Sequence, residues 1–501
     1  MDEVRRLVIE AGRRHGLGGV AVGVVHAGEP TVVECIGSAD HASGRRIDRD
    51  TVFRIASISK TLTAIGVMKL RDEGLLALDQ PVNGYLKSIR VESPPNAPEV
   101  TIRHLLTHTS GIGELPRLSD LWRREAWGAG LPYAAPQDLA VLYQGALHTE
   151  IAAGTKWTYA NHGFAVLSQL VEDISGCPFA DYMRDQVLRP LGMERADYAR
   201  SEPVSQTLAT GYHWVFGRFR AIKDYDVTLF GAGSVLSPLA DMLEYAAWLA
   251  HPGRDAAQDV IAPATLREMM SPQYSVDRRL AGMGLAFFLD RFGTHRVCGH
   301  DGNNPGFASA LLVAPDDNVG VVALTNTSSY VGAHLLAASV LRSILGVTDP
   351  ARAFPLADVP ADPHLWPELT GHYAPEPGFL TNFRFWQMTG GEVQVFVRDR
   401  RLHIRALSLV PRLRHGLELH PTDHADPLLF GATIDGLVFE VAFRADDAGR
   451  VDTLCIGPPG TAILHRRTPW RSSRRRLTAA AGVALVAAST RARPWSARDR
   501  G

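Results

Sequence analysis

Two repeats of apolar positions alternate along this chain. Residues 4–15 carry the spacing of a helix, and residues 20–25 and 31–36 are β-rich runs. His26-Ala27-Gly28-Glu29-Pro30 separates those runs, so a hairpin is predicted there. Ile58, Leu62 and Ile65 then fall at i, i+4 and i+7, which marks a helix with one apolar face. A short segment from Thr101 to His108 stops at Ser110-Gly111. Residues 113–137, rich in Gly, Pro, Trp and Arg, read as a long surface excursion and a cleft wall. Residues 163–174 have helical spacing and end at Gly176. Ser237-Pro238 predicts an N-cap and a first-turn proline for a helix running to about Leu249. Residues 307–313 and 319–325 are β-rich around Pro315-Asp316-Asp317-Asn318, and a helix is predicted from about Val331 to Leu345. Strands at both ends with helices between predict an α/β (α+β) sandwich. Its antiparallel sheet is covered by helices, and the two ends of this stretch meet in that sheet.

Beyond this point the pattern changes. Five prolines between 349 and 367 mark a linker. Residues 392–398 and 402–407 then alternate around Asp399-Arg400, and 437–444 and 451–456 flank Asp446-Asp447-Ala448-Gly449. Short strands with turn signals predict a small antiparallel barrel or sandwich. The domain plan is therefore 1–348, a linker at 349–367, a β-rich domain at 368–468 and a basic tail at 469–501.

Composition narrows the class. At 501 residues the chain is too long for one ordinary domain. Its 46% hydrophobic and 21% charged residues suit a soluble globular protein. Cys35, Cys177, Cys298 and Cys455 are far apart, so neither a disulfide framework nor a zinc knuckle is indicated. The net charge of −1 conceals an asymmetry: residues 466–501 hold ten arginines and one aspartate, so the tail carries +9 and the body −10. An acidic body argues against nucleic acid as a partner. In the tail, Arg474-Arg475-Arg476 precedes the small apolar residues 477–490. A helix of about 21 Å there falls short of the ~30 Å hydrocarbon core. The tail is expected to be disordered, with at most a weak interfacial association with a membrane. Met1-Asp2-Glu3-Val4-Arg5-Arg6 lacks the layout of a signal peptide, so a cytoplasmic location is expected.

Three clusters carry candidate chemistry. Ser57-Ile58-Ser59-Lys60 sets a serine and a lysine three apart at a helix start, so the hydroxyl and the amine share a face. A serine is a weak nucleophile until a base takes its proton. Lysines are only five, Lys60, Lys69, Lys87, Lys156 and Lys223, against 52 Lys plus Arg in all. Arginine does not give up its proton in proteins and lysine can, so a lysine here carries information. Taken alone, the pair also fits a surface lysine beside a capping serine. Tyr159-Ala160-Asn161 supplies a phenol able to relay a proton and an amide with both donor and acceptor. Alone it fits a turn with a half-buried ring. Gly299-His300-Asp301-Gly302-Asn303-Asn304-Pro305-Gly306 suggests a backbone that something approaches closely, or simply a tight turn. His104 and His108 are spaced as zinc ligands on a helix can be. Without a glutamate at 105 or an evident third ligand, no metal and no cofactor are expected.

In this order the clusters resemble the serine β-lactamase, penicillin-binding protein and D-alanyl-D-alanine peptidase superfamily, in its class C-like branch with esterases and D-aminopeptidases. Ser57-Ile58-Ser59-Lys60 matches Ser-x-x-Lys, Tyr159-Ala160-Asn161 matches Tyr-x-Asn, and His300-Asp301-Gly302 matches the His-x-Gly that replaces Lys-Thr-Gly in some members. His104-Leu105-Leu106-Thr107-His108-Thr109-Ser110-Gly111 resembles a recurrent family segment. The resemblance implies a sheet covered by helices plus an all-helical lobe, with a lipocalin-like barrel appended. It also implies a covalent acyl-enzyme on Ser57. Lys60 and Tyr159 share the proton traffic, and the N–H groups of Ser57 and Asn303 form the oxyanion hole. Asn161 orients a substrate amide. His300 bonds near Tyr159 or a substrate carboxylate, and Gly302 leaves room for substrate backbone. A histidine at 300 is charged only in part near neutral pH, which favours an esterase or D-peptidase over a β-lactamase. A penicillin-binding-type thioesterase that cyclises or releases peptides would use the same residues, and a binding protein without turnover is the non-enzyme alternative. The partner expected in either case is a small molecule or short peptide.

Overall fold

The computed structural model describes residues 2–128, 138–253, 260–347, 362–458 and 461–467. They fall into two compact units. Met1–Pro116, Arg123–Ser275 and Ala281–Ala353 form the first, and Arg117–Trp122, Val276–Leu280 and Phe354–Gly501 the second.

The first unit opens with helix α1 (Asp2–His15) and strands β1 (Gly19–His26), β2 (Glu29–Asp40) and β3 (Arg45–Arg46). Helices α2 (Ser59–Asp72), α3 (Asn161–Ser175) and α4 (Leu239–Ala250) follow. Strands β4 (Phe288–Phe292), β5 (His295–Asn304), β6 (Phe307–Ala314) and β7 (Val319–Thr325) then lead to helix α5 (Tyr330–Ile344). Among the described residues these seven strands make one antiparallel sheet in the order β4-β5-β6-β7-β1-β2-β3. β1 lies between its hairpin partner β2 and the late strand β7, with Val20 opposite Thr325. The β1–β2 turn is Ala27-Gly28, with φ of 51° and 83°, the handedness that suits twisted strands.

Both faces of this sheet are covered. Val20, Val22 and Val24 join Val4 and Val8 of α1 and Leu336 and Ala337 of α5 in one core. Ala21 and Val25 face the other way, into the core that holds Met242 and Leu243 of α4. Strands buried on two faces need no polar alternation, which is why residues 20–25 read as an unbroken apolar run. Gly23 is needed for the close approach of α4: a Cβ there would lie 2.5 Å from Leu243 Cδ2. The second core continues into the helical lobe, where Ile58, Leu62 and Ile65 pack with Phe164 and Leu167 of α3. α3 stops at Gly176, whose φ of 71° ends the helix.

One predicted cap is absent. Leu236–Pro238 is a strand, paired antiparallel with Val52–Arg54. α4 therefore begins at Leu239 with Pro238 as its N-cap, and Ser237 Oγ donates to Pro238 O. A ladder partner from far away in sequence has overridden the local cap signal.

The second unit is a nine-stranded antiparallel sheet among the described residues. Its end strands are Leu417–Glu418 and His420–Pro421, and only Leu419 separates them in sequence. The sheet thus curls until its two margins adjoin, around an interior of Tyr373, Val395, Ile404, Phe430, Val441 and Leu454. Asp399 and Arg400, with φ of 51° and 58°, make the two-residue turn between Val393–Arg398 and Arg401–Ala406. Two stretches from inside the span expected for the first domain belong to this unit. In one of them, Arg279 donates to Asp277, Asp426 and the carbonyl of Phe443. Most of the predicted linker, residues 349–361, and the tail from 468 onward lie outside the described residues. No helix among the described residues is long and apolar enough to cross a membrane.

Candidate active site

The site begins with a turn. Ser57 sits in a short 3-10 segment, Ala56–Ile58, that runs into α2, so it precedes the regular helix. Ala56 adopts φ of 49°, a left-handed conformation that costs a non-glycine residue about 1–2 kcal/mol. Side chains on both sides brace it. Ser309 Oγ donates to Ile55 O at 2.7 Å, and Ser59 Oγ donates to Ala56 O at 2.6 Å while accepting from Val235 N at 3.1 Å. The two serines of the motif therefore differ. Ser59 is buried and committed to the backbone, whereas Ser57 is partly exposed and faces the lysine.

Lys60 is fully buried in the first turn of α2. Its Nζ donates to Ser57 Oγ at 3.1 Å, Asn161 Oδ1 at 2.9 Å and Ala232 O at 2.6 Å. Asn161 is the first residue of α3, so the α2–α3 packing brings amine and amide together. Tyr159, two residues earlier, stands beside them: Lys60 Nζ lies 4.9 Å from its ring centroid. Serine, lysine, tyrosine and asparagine thus share one site. A buried amine at hydrogen-bond distance from a hydroxyl, with a phenol alongside, can move the hydroxyl's proton.

The opposite wall is β5. β4 pairs with it only as far as Phe288 opposite Gly299, so from His300 to Asn304 no strand covers that margin among the described residues. Asn304 and Phe307 close the tight β5–β6 turn. By the alternation of an antiparallel ladder, the N–H of Asn303 then points away from β6, toward the uncovered margin. Gly302 packs against the serine turn: a Cβ there would lie 2.2 Å from Ile55 O and from Ser309 Oγ, and 3.0 Å from Ala56 Cβ. The missing side chain of Gly302 thus leaves room for the nucleophile's own backbone.

His300 departs further from expectation. It is 3% exposed, and its Nδ1 meets Asp301 O at 2.6 Å. A carbonyl accepts, so the proton is on Nδ1 and Nε2 is left as an acceptor. That Nε2 is buried and has no hydrogen-bond partner among the described residues, so no bond joins it to Tyr159, one of its two expected partners. The two rings stand 6.1 Å apart, and Phe288 lies 5.0 Å from His300. Burial, helped by the charge of Lys60, lowers the His300 pKa to about 4. The imidazole is neutral near pH 7, not partly charged. Asp301, next on the strand, meets His334 Nδ1 of α5 at 2.9 Å and accepts from Tyr330 at 3.2 Å. His334 carries a raised pKa, because the charge and hydrogen bond of Asp301 outweigh its burial.

Several supporting residues had no sequence signal. Arg54 is buried and donates to Asp224 Oδ1 at 2.9 Å while its guanidinium lies 4.3 Å from the Tyr225 ring centroid. Tyr225 in turn donates to Pro305 O at 2.7 Å, at the end of β5. Ser309 and Arg54 look ordinary within β-rich runs, and only their distant partners mark them. The two histidines of the recurrent segment have separate tasks. His104 Nδ1 accepts from Thr101 N at 3.2 Å in a helix cap, and the ring of His108 stacks on Tyr159.

The beta-lactamase family model matches residues 4–344. Esterase EstB of Burkholderia gladioli is 34% identical over 206 residues, covering 40% of this chain and 51% of the esterase. A D-aminopeptidase of Brucella anthropi is 27% identical over 354 residues, covering 70% of this chain and 64% of the aminopeptidase. The chain thus spans about half to two thirds of the length of these two relatives. Among solved structures, the octameric penicillin-binding protein homologue from Pyrococcus abyssi superposes with a TM-score of 0.60 at 20% identity, covering 92% of this chain and 99% of that one. It carries the same fold. With the family model spanning most of its length, this chain belongs to the beta-lactamase family.

Proposed function

We propose that this protein is a serine acyl hydrolase that works through a covalent acyl-enzyme on Ser57. The observation that carries the reading is the 3.1 Å contact between the buried Lys60 Nζ and Ser57 Oγ. In the reactive form Lys60 is a neutral amine that donates to Asn161 Oδ1 and Ala232 O and turns its lone pair to Ser57. Ser57 Oγ attacks a carbonyl carbon as its proton passes to that lone pair, with Tyr159 alongside to relay it to the leaving group. The carbonyl oxygen gains charge between the N–H groups of Ser57 and Asn303. The bond to the leaving alcohol or amine breaks, and that group departs protonated. Water then attacks the ester, gives up its proton along the same route, and restores Ser57 with release of the acid.

The wall at His300 bears on substrate choice. A neutral imidazole offers no positive charge to a carboxylate beside the scissile bond. That favours esters and amides over the carboxylate-bearing β-lactams and peptide C-termini. The two relatives above, an esterase and a D-aminopeptidase, lie on the same side of this division. The substrate proposed is a short ester or amide, including one with a D-residue on the acyl side. Intact-protein mass spectrometry after exposure to a fluorophosphonate tests the reading. One adduct on Ser57, absent from Ser57→Ala, is expected; an unmodified wild-type chain under several acylating probes would remove the acyl-enzyme from consideration.

A further inference from the structure

His108 is 1% exposed and lies at φ of 58°, a left-handed conformation that asparagine, aspartate and histidine tolerate better than most residues. It holds the segment around Tyr159 at three points. Its carbonyl accepts from Thr158 N at 2.7 Å, and its ring Nδ1 accepts from Ala160 N at 3.2 Å. The ring also stacks on the Tyr159 ring at 4.3 Å between centroids, tilted by 28°. The peptide N–H before Tyr159 and the one after it are thus both bonded to one residue, and the phenol lies on that residue's face. The left-handed turn makes this grip feasible, because it turns the carbonyl and the ring of His108 toward the same strand of chain. The next turn of backbone continues the contact, with Gly154 N donating to Thr109 O at 2.7 Å.

We propose that His108 is the positioning residue for Tyr159, fixing the plane of the phenol at Lys60 and Ser57 through two backbone bonds and a stacked ring. The proposal rests on the acyl-enzyme reading above. Tyr159 sits one residue before the N-cap of α3, outside helix and ladder, and the His108 bonds fix the chain on either side of it. The Ala160 bond also assigns the tautomer: Nδ1 must be bare, and the proton sits on Nε2.

Two substitutions separate the parts of the clamp. His108→Asn keeps an acceptor at the position of Nδ1 and suits the left-handed backbone, but removes the stacked ring. His108→Phe keeps the ring and leaves Ala160 N without its acceptor. Each is compared with wild type, Tyr159→Phe and the double variant His108→Asn/Tyr159→Phe, by single-turnover acylation with a short-chain p-nitrophenyl ester. Folding is checked by circular dichroism. The acylation rate constant is expected to fall about 10- to 100-fold in each His108 variant, with KM nearly unchanged, as for a misplaced catalytic group. The double variant should be no slower than Tyr159→Phe alone, because there is nothing left to position. Wild-type rates, losses that multiply with Tyr159→Phe, or a His108→Asn chain that does not fold would each overturn the proposal while wild type still labels on Ser57. Absence of label on wild type would instead remove the acyl-enzyme reading, and the clamp with it.

Discussion

Replacing Lys60 by arginine keeps a cation of similar reach and removes the capacity to shed a proton. The acylation rate of Lys60→Arg is therefore expected to fall at least about 1,000-fold, close to that of Lys60→Met, as for loss of a general base. Retention of a tenth of the wild-type rate in stopped-flow acylation would contradict a proton-transfer role. His300 has a consequence for stability instead. Its pKa of about 4 in the fold lies below the ordinary 6.5. Between these values the unfolded chain binds the extra proton, so stability falls as pH drops from about 6.5 toward 4 and is unaffected above that window. Urea unfolding at pH 7 and pH 5 should show a smaller loss in His300→Asn than in wild type. An identical pH slope in both would mean that His300 is not held neutral.

At the scale of elements, the site depends on how closely β5 approaches the serine turn. Gly302→Ala puts a methyl carbon 2.2 Å from Ile55 O and Ser309 Oγ. Overpacking of this kind costs about 1–3 kcal/mol, and the strained turn at Ala56 should shift with it. A lowered melting temperature together with a reduced acylation rate is expected, and an unchanged variant would show the turn to be more pliable than its contacts suggest. The helices around this contact were readable because Ile58, Leu62 and Ile65 repeat with a helical period, and the β1–β2 and β6–β7 hairpins because their turns are explicit. The Ser57, Lys60, Tyr159 and Asn161 group was readable from an ordered set of motifs. The packing of Gly302 on the serine turn was not readable, because its neighbours are Ile55 and Ser309, and a sequence contains no distance. Ser237 was misread for a related reason: its segment pairs with Val52–Arg54, a tertiary contact that local cap chemistry does not encode. The neutral state of His300 depends on burial, which one histidine in a glycine-rich stretch does not announce.

At the scale of the molecule, each unit has its own weak point. In the second, Leu419 is 3% exposed and joins the two margins of the barrel. Leu419→Ala is expected to cost about 2–5 kcal/mol and to raise hydrogen exchange in residues 393–406, leaving residues 20–25 of the first unit protected. Equal protection throughout would mean that the seam is held by its backbone alone. In the first unit, Val20 finds its ladder partner at Thr325. During synthesis the nucleophile Ser57 leaves the ribosome long before Asn161, Ala232 and the β5 wall that arm it. A nascent chain therefore carries an idle alcohol until its last sheet strand arrives, and messages broken off before that strand would yield protein that is made, folded in part, and inert.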